Sequence, residues 1–429
     1  MGDLKDCYQT KNAGFISTRF AGTDGVSLET KKWADVFEFE GYKSFYFAGE
    51  LDRPDDVCYL VPEAHFTHPH IAEIYRGSFD VEIRDRLLSG KIHKMVRYFK
   101  DELYKFIDKF EIGIIIPQNC LTIPLNIPLG IAITQVIMET GIETIAHHHD
   151  FYWERDRFLT NAVWDYLTMS FPPRLPSIHH VVINSFADEQ LSLRTGISAT
   201  IVPNVMDFEN PPPPLDDYAS DVRQALGIED DELLILQPTR VVQRKGIEHA
   251  IELVHRLGKK AKLVISHASG DEGYDYELRL HEYSKLMNVN TVFVSDIINE
   301  ERGTTPDGRK IYTLQDVFPH ANLVTYPSTF EGFGNAFLEA IYFRKPVVVN
   351  IYSVYAKDIK PKGFSVVELD GYVTAAAVAQ TKEILTKPEL CEKMVQHNYE
   401  IARRHFSYDV LYKRLHQFIS EHVRTLPKC

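Results

Sequence analysis

Cysteine is scarce in this chain: five in 429 residues, at Cys7, Cys58, Cys120, Cys391 and Cys429. They form no CxxC pair and no even-numbered framework, which argues against a disulfide scaffold or a cysteine-built metal cage and points to reduced thiols in a cytoplasmic protein. Positive charge is also in short supply, with 47 Lys and Arg against 60 Asp and Glu and a formal net charge of -13. A chain of that sign is poorly suited to nucleic acid or to an anionic membrane surface, both of which reward basic patches. Long apolar runs are missing too. No stretch approaches the roughly 20 apolar residues of a membrane helix, so no membrane insertion is expected. The opening Met1-Gly2-Asp3-Leu4-Lys5-Asp6 has no basic segment leading into an apolar one, so a signal peptide is not expected either.

What is present is the composition of an ordinary globular protein, 44% apolar and 25% charged. The length predicts two domains of about 150 to 200 residues each. In the first half, Ala13-Gly14-Phe15-Ile16-Ser17-Thr18 reads as a buried strand. A loop holding Gly22, Thr23, Asp24 and Gly25 follows, then a helix over residues 27–40 and a second strand over 45–49. Residues 94–110 and 127–140 read as helices, and 112–116 and 143–146 as strands, the last ending at His147-His148-His149-Asp150. Such alternation predicts a doubly wound parallel sheet. Four prolines, Pro211 to Pro214, mark a linker, because proline continues neither a helix nor a ladder. Beyond it the alternation resumes, with strands expected at 233–237, 261–266 and 291–295 and helices at 246–257 and 276–287. The boundaries are then residues 1–205 for the first domain, 206–219 for the linker, 220–395 for the second domain and 396–429 for a C-terminal helix packing back across the domains. Tyr408, Leu411, Leu415 and Phe418 supply that helix with an apolar stripe. Residues 299–310 read as an elongated loop with no assigned role.

Two clusters carry chemistry. After a strand ending near Tyr326 comes Glu331-Gly332-Phe333-Gly334-Asn335-Ala336-Phe337-Leu338-Glu339, a glycine-bracketed turn that opens a helix. Unpaired N–H groups and the positive end of the helix dipole favour a phosphate there, and the glycines permit close approach. Glu331 can face a sugar, and Glu339, two turns on, can accept from a pair of ribose hydroxyls. The second cluster, Arg240-Val241-Val242-Gln243-Arg244-Lys245-Gly246, also lies between strand and helix. Arg240 and Lys245 can neutralise a pyrophosphate without a metal, the arginine as a fork and the lysine as a point charge.

Together, Arg240-x4-Lys245-Gly246 and Glu331-x7-Glu339 within EGFGNAFLEA resemble the signature of the retaining glycosyltransferases of family 4. The segment GTDGVSLETKKWADVFEFEGY is similar to that family's glycine loop and first helix. The resemblance implies an α/β protein of the GT-B fold: two facing doubly wound Rossmann-like domains with a C-terminal helical segment and the chemistry in the cleft between them. It implies a donor diphosphate on Arg240 and Lys245, ribose on Glu339, and donor sugar near Glu331. It also implies backbone contacts from Gly332, Phe333, Gly334 and Asn335, further contacts from Gly22 and Gly25, and the base near Ser295 and Ile297. Segment AHHHDFYWERDRF is similar to a subgroup acting on small glucosides or mannosides, including compatible-solute synthases. After Asn350 the chain departs from the family's small-residue turn with Ile351-Tyr352-Ser353-Val354-Tyr355, which leaves the sugar or acceptor pocket open at that edge.

Three consecutive histidines cannot all face one metal, because successive strand side chains point to opposite faces, so no metal is expected. The family places a histidine at this strand end against the sugar, with His148 first in order, then His149 and His147. Asp150 can orient one of these rings. Arg155 and Arg157 can meet an acidic or phosphorylated acceptor, or pair with Glu154 and Asp156. The expected reaction is retaining transfer of glucose or mannose from a UDP- or GDP-hexose to a small or glycosidic hydroxyl, with no other cofactor. His148, Glu331, Arg240 and Lys245 form the catalytic set, and His149, Asp150 and Arg155 take the acceptor. A disaccharide phosphorylase, a nucleotide-sugar epimerase and a non-catalytic nucleotide-sugar binder remain open on the same fold. Neither the donor base nor the oligomeric state is fixed by the sequence.

Overall fold

The computed structural model describes residues 10–22, 25–269 and 273–422. Thr23 and Asp24 of the first loop, Cys7, Cys429 and the opening Met1 to Asp6 lie outside these. The chain divides into two compact units, one of residues up to 203 together with those from 411 onward, the other of residues 204–410.

Short apolar runs become parallel strands covered by helices on both faces, which is why they read as continuous rather than alternating. In the first unit the strands are β1 (Asn12–Ile16), β2 (Lys43–Ala48), β3 (Cys58–Leu60), β4 (Ile114–Pro117), β5 (Glu143–His148), β6 (Ile178–Val182) and β7 (Ala199–Ile201). They form one sheet in the order β3-β2-β1-β4-β5-β6-β7. In the second unit β8 (Leu233–Gln237), β9 (Ala261–Ile265) and β10 (Asn290–Phe293) are followed by a two-stranded sheet of β11 (Gly303–Thr304) and β12 (Lys310–Ile311). Next come β13 (Leu323–Tyr326), β14 (Val347–Asn350) and β15 (Val367–Leu369), and the main sheet runs β10-β9-β8-β13-β14-β15. Chain order reverses between β1 and β4 in one sheet and between β8 and β13 in the other. In open α/β sheets the crevice at such a reversal, beyond the carboxyl ends of the strands, is where ligands bind.

Several expectations need correction. The helix expected from residue 94 begins at Arg86, because Asp85 caps it by accepting from the Leu87 N–H at 3.1 Å. Strand β5 runs on through His147 and His148, where the sequence reading ended it at residue 146. The unassigned loop at 299–310 contains the β11–β12 hairpin, held by Arg302 against Asp216 (2.6 Å) and Asp316, and by Arg309 against Asp296 at 2.7 Å. The single C-terminal helix is two, Pro388–Phe406 and Tyr408–His422, since Ser407 is extended and bridges to Met206. Of the expected apolar stripe, Leu411, Leu415 and Phe418 are buried and Tyr408 is half-buried.

Candidate functional site

The loop after β8 and the loop after β13 face each other because β8 and β13 are neighbours, with Leu323 opposite Ile235. A polar chain fixes both strand ends: Thr325 Oγ1 donates to Gln237 Oε1 at 2.7 Å, and Gln237 Nε2 donates to Thr239 Oγ1 at 2.8 Å. Arg240 follows, exposed. The chain then makes a single 3-10 turn, Gln243–Lys245, and Gly246 takes φ +58 before the helix Ile247–Leu257 begins. A Cβ at Gly246 would lie 2.5 Å from the Pro327 carbonyl oxygen, so only glycine lets the turn press against the opposite loop. The contact is stitched by Thr329, whose N–H donates to Arg244 O at 2.8 Å.

Glu331 sits at the centre. It is 8% exposed and ion-paired to Lys245, and Arg244 Nη1 reaches its second oxygen at 3.2 Å. Burial pushes the carboxyl up, but the charges of Lys245 and Arg244 outweigh it and hold Glu331 below the usual carboxylate range. Burial likewise lowers Lys245, with Glu331 opposing.

Beyond Glu331 the turn at residues 332–334 leads into the helix Asn335–Tyr342. Phe333 is buried and its ring meets Phe406, which anchors the middle of the turn. Gly334 adopts φ +127, and a Cβ there would meet Tyr352 Oη at 2.4 Å. That hydroxyl donates to Phe333 O at 2.8 Å. The departure noted at residues 351–355 thus props the glycine turn from beneath. Asn335 accepts from Asn204 Nδ2 at 2.9 Å, and Glu339 is half-buried on the helix.

The structure thus gathers Arg240, Lys245, Glu331, Gly332, Phe333, Gly334, Asn335 and Glu339 at one topological switch point. Ser295 and Ile297 lie elsewhere, past the end of β10 at the sheet edge, the first exposed and the second buried. Sequence reasoning passed over Arg244, Gln237 and Tyr352. Arg244 stood in the quoted cluster, but only the fold reveals that it turns toward Glu331.

In the first unit, Gly22 closes the turn after β1, its N–H donating to Asp52 Oδ2 at 2.8 Å, and Gly25 opens the helix Gly25–Phe39. His147 and His148 are both buried and point to opposite sides of β5. The His147 ring stacks on Trp33 with centroids 4.1 Å apart and pairs with Gln118 Oε1 at 2.9 Å. His148 Nε2 lies 2.8 Å from His180 Nδ1, sealed from solvent. Burial first, then neighbouring histidines, hold both rings well below the ordinary histidine range and so neutral. His149 is half-buried, with Nε2 3.3 Å from the same Gln118 oxygen. Asp150 accepts from Arg155 Nε at 2.6 Å and from Asn119 Nδ2 at 2.8 Å. Among the described residues, no group of three or more His, Cys, Asp or Glu is placed to hold a metal ion. No helix among them is long and apolar enough to cross a membrane.

Two parallel-sheet Rossmann-like units, each wound about its own switch point, followed by a C-terminal helical segment, define the GT-B fold. Residues 219–401 match the family model described as glycosyl transferases group 1. A mannosylglucosylglycerate synthase of Petrotoga mobilis is 33% identical over 83% of this chain and 86% of its own. A protein of the same name from Thermotoga maritima is 32% identical over 93% and 96%. Among solved structures, a glycosyltransferase from Rickettsia africae superposes with a TM-score of 0.69 over 97% of this chain and 100% of that one, at 12% identity. The chain belongs to the group 1 glycosyl transferases, and it is an enzyme that transfers a hexose.

Proposed function

We propose that the protein is a retaining hexosyltransferase of the family 4 type, moving mannose from a nucleotide diphosphate sugar to a glucosylglycerate-like acceptor in the cytoplasm. The observation that carries the donor half is the pairing of Lys245 and Arg244 with Glu331, which sets the loop carrying Arg240 against the loop that leads into the turn at residues 332–334. Cations and a helix N-terminus converging on one crevice suit a diphosphate and little else. The acceptor half rests on the two relatives named mannosylglucosylglycerate synthase, each matched over most of its length.

Each side chain then has a task. Arg240 forks a phosphate, while Lys245, with three N–H donors, shares its charge between Glu331 and a phosphate oxygen. Glu339 takes the ribose hydroxyls, Ser295 and Ile297 border the base, and Glu331 orients the donor sugar. On the first unit, with residues 1–205 as acceptor side and 220–395 as donor side, His149, Asp150 and Arg155 contact the acceptor. His148, locked to His180, supports that strand end from within. In the reaction the bond from anomeric carbon to diphosphate oxygen breaks and one to the acceptor oxygen forms on the same face. The acceptor proton passes to the departing diphosphate, whose growing charge the cations stabilise.

The test offers GDP-mannose, UDP-glucose and ADP-glucose with glucosylglycerate, and reads product mass and the anomeric coupling constants. A mannosylated product of unchanged anomeric configuration is expected. An inverted linkage, or donor turnover without any acceptor product, would overturn the reading.

A further inference from the structure

Strand β9 ends at Ile265, opposite Gln237 of β8, and Ser266 and His267 continue past it. Ser266 N donates to Gln237 O at 3.4 Å and Val241 N to Ala268 O at 3.2 Å, so residues 266–268 run alongside the loop that carries Arg240. His267 is half-buried there, with Nδ1 2.7 Å from Ser266 Oγ. That contact fixes the ring and leaves Nε2 as its other pole. Two cations act on the imidazole, Arg240 from the loop after β8 and Lys245 from the turn before the helix Ile247–Leu257. Lys245 is shared with Glu331, itself also held by Arg244. From the helix Asp275–Leu286, Glu277 bonds Ser269, two residues on. Burial foremost, then Arg240 and Lys245, keep His267 below the ordinary histidine range, and hence neutral near pH 7.

A histidine kept neutral by burial first and by flanking cations second gains a counter-charge when a dianion settles among those cations, because the local potential then favours the protonated ring. We propose that His267 is a further donor-binding residue that takes up a proton from solvent as the diphosphate of a nucleotide sugar binds, adding a third cation beside Arg240 and Lys245. This rests on the donor reading given above. The imidazolium then holds a phosphate oxygen and helps to carry the charge of the leaving group. Donor affinity consequently falls as pH rises, by up to about tenfold per pH unit where the complex is protonated and the free protein is not.

The experiment is titration calorimetry of the full chain with GDP-mannose and UDP-glucose at pH 7, in buffers of different ionisation enthalpy. Sugar-linked diphosphates are chosen because their phosphates do not titrate near neutrality, unlike a terminal phosphate, so any proton exchanged belongs to the protein. Uptake of up to one proton per site is expected in the wild type and none in His267→Gln, whose amide keeps a hydrogen bond without titrating. The variant should also lose the rise in affinity between pH 8 and pH 6. His267→Asn serves in its place if His267→Gln lowers the Tm. Zero uptake in the wild type, or undiminished uptake in the variants, would overturn the proposal while leaving the donor reading intact. Failure of both nucleotide sugars to bind would overturn the two together.

Discussion

Glu331 is a buried carboxylate whose charge is sustained by two cations, Lys245 and Arg244, that the proposed donor site would also use. Removing one of them exposes both roles. Lys245→Ala leaves Glu331 with Arg244 alone, and breaking a buried pair is costly, so a loss of about 3 kcal/mol in denaturant unfolding is expected. Donor affinity should fall about tenfold to a hundredfold in the same variant, the worth of a charge-assisted bond. Undiminished binding of a nucleotide sugar would remove Lys245 from the site. Because Glu331 is held below the usual range, its contribution to stability is present above the unfolded carboxyl's range and is lost as pH falls through its folded value. Glu331→Gln should therefore flatten the acid limb of a stability-versus-pH curve. Glu154 behaves in the opposite sense. Burial raises it to about 7, against the Phe151 N–H that it accepts. Its folded form prefers the proton, so the first unit loses stability as pH rises from the unfolded carboxyl's range to about 7, and Glu154→Gln should abolish that decline in thermal melts.

At the scale of elements, the glycine turn is held open by a residue outside it. Tyr352→Phe keeps the ring and removes the donor to Phe333 O, leaving a buried carbonyl short of a partner, which costs about 1–3 kcal/mol. The expected outcome is a weaker donor Kd, because the amides at residues 332–334 lose their fixed direction. An unchanged Kd alongside a lowered Tm would make the hydroxyl purely structural. This element also shows what could be read beforehand. Strands and helices at the switch point were legible because apolar runs, glycines and proline punctuate them directly, and the helix at residues 127–140 was placed to the residue. Tyr352 was legible only as a departure from a resembling family, since nothing local says that its hydroxyl rises beneath Gly334. The hairpin of β11 and β12 was hidden because two-residue strands have no periodicity, and its anchors, Asp216 and Asp316, lie 86 and 14 residues from Arg302. The histidine run was legible as chemistry but not as geometry. Strand alternation said that His147 and His148 diverge; it could not say that His180, 32 residues on, would cap one of them.

For the whole molecule, division into two units makes ligand effects separable. A nucleotide sugar at about 100 times its Kd adds about 2.7 kcal/mol to whatever folds around it. The residues proposed to hold the donor all lie between Asn204 and Val410, so calorimetry should show the donor raising the transition of that unit, and an acceptor analogue raising the other. Equal shifts of both transitions by the donor alone would mean that the units melt as one.

The pairing of Glu331 with Lys245 and Arg244 has a last consequence, for ionic strength. A bare cationic crevice gathers small anions from solution and releases them when its ligand arrives, which makes affinity steeply salt-dependent. Here a tethered carboxylate already occupies that office. Few mobile counterions are left to liberate, so donor binding should weaken only gently between low and high potassium chloride, and Glu331→Gln should make that dependence steep.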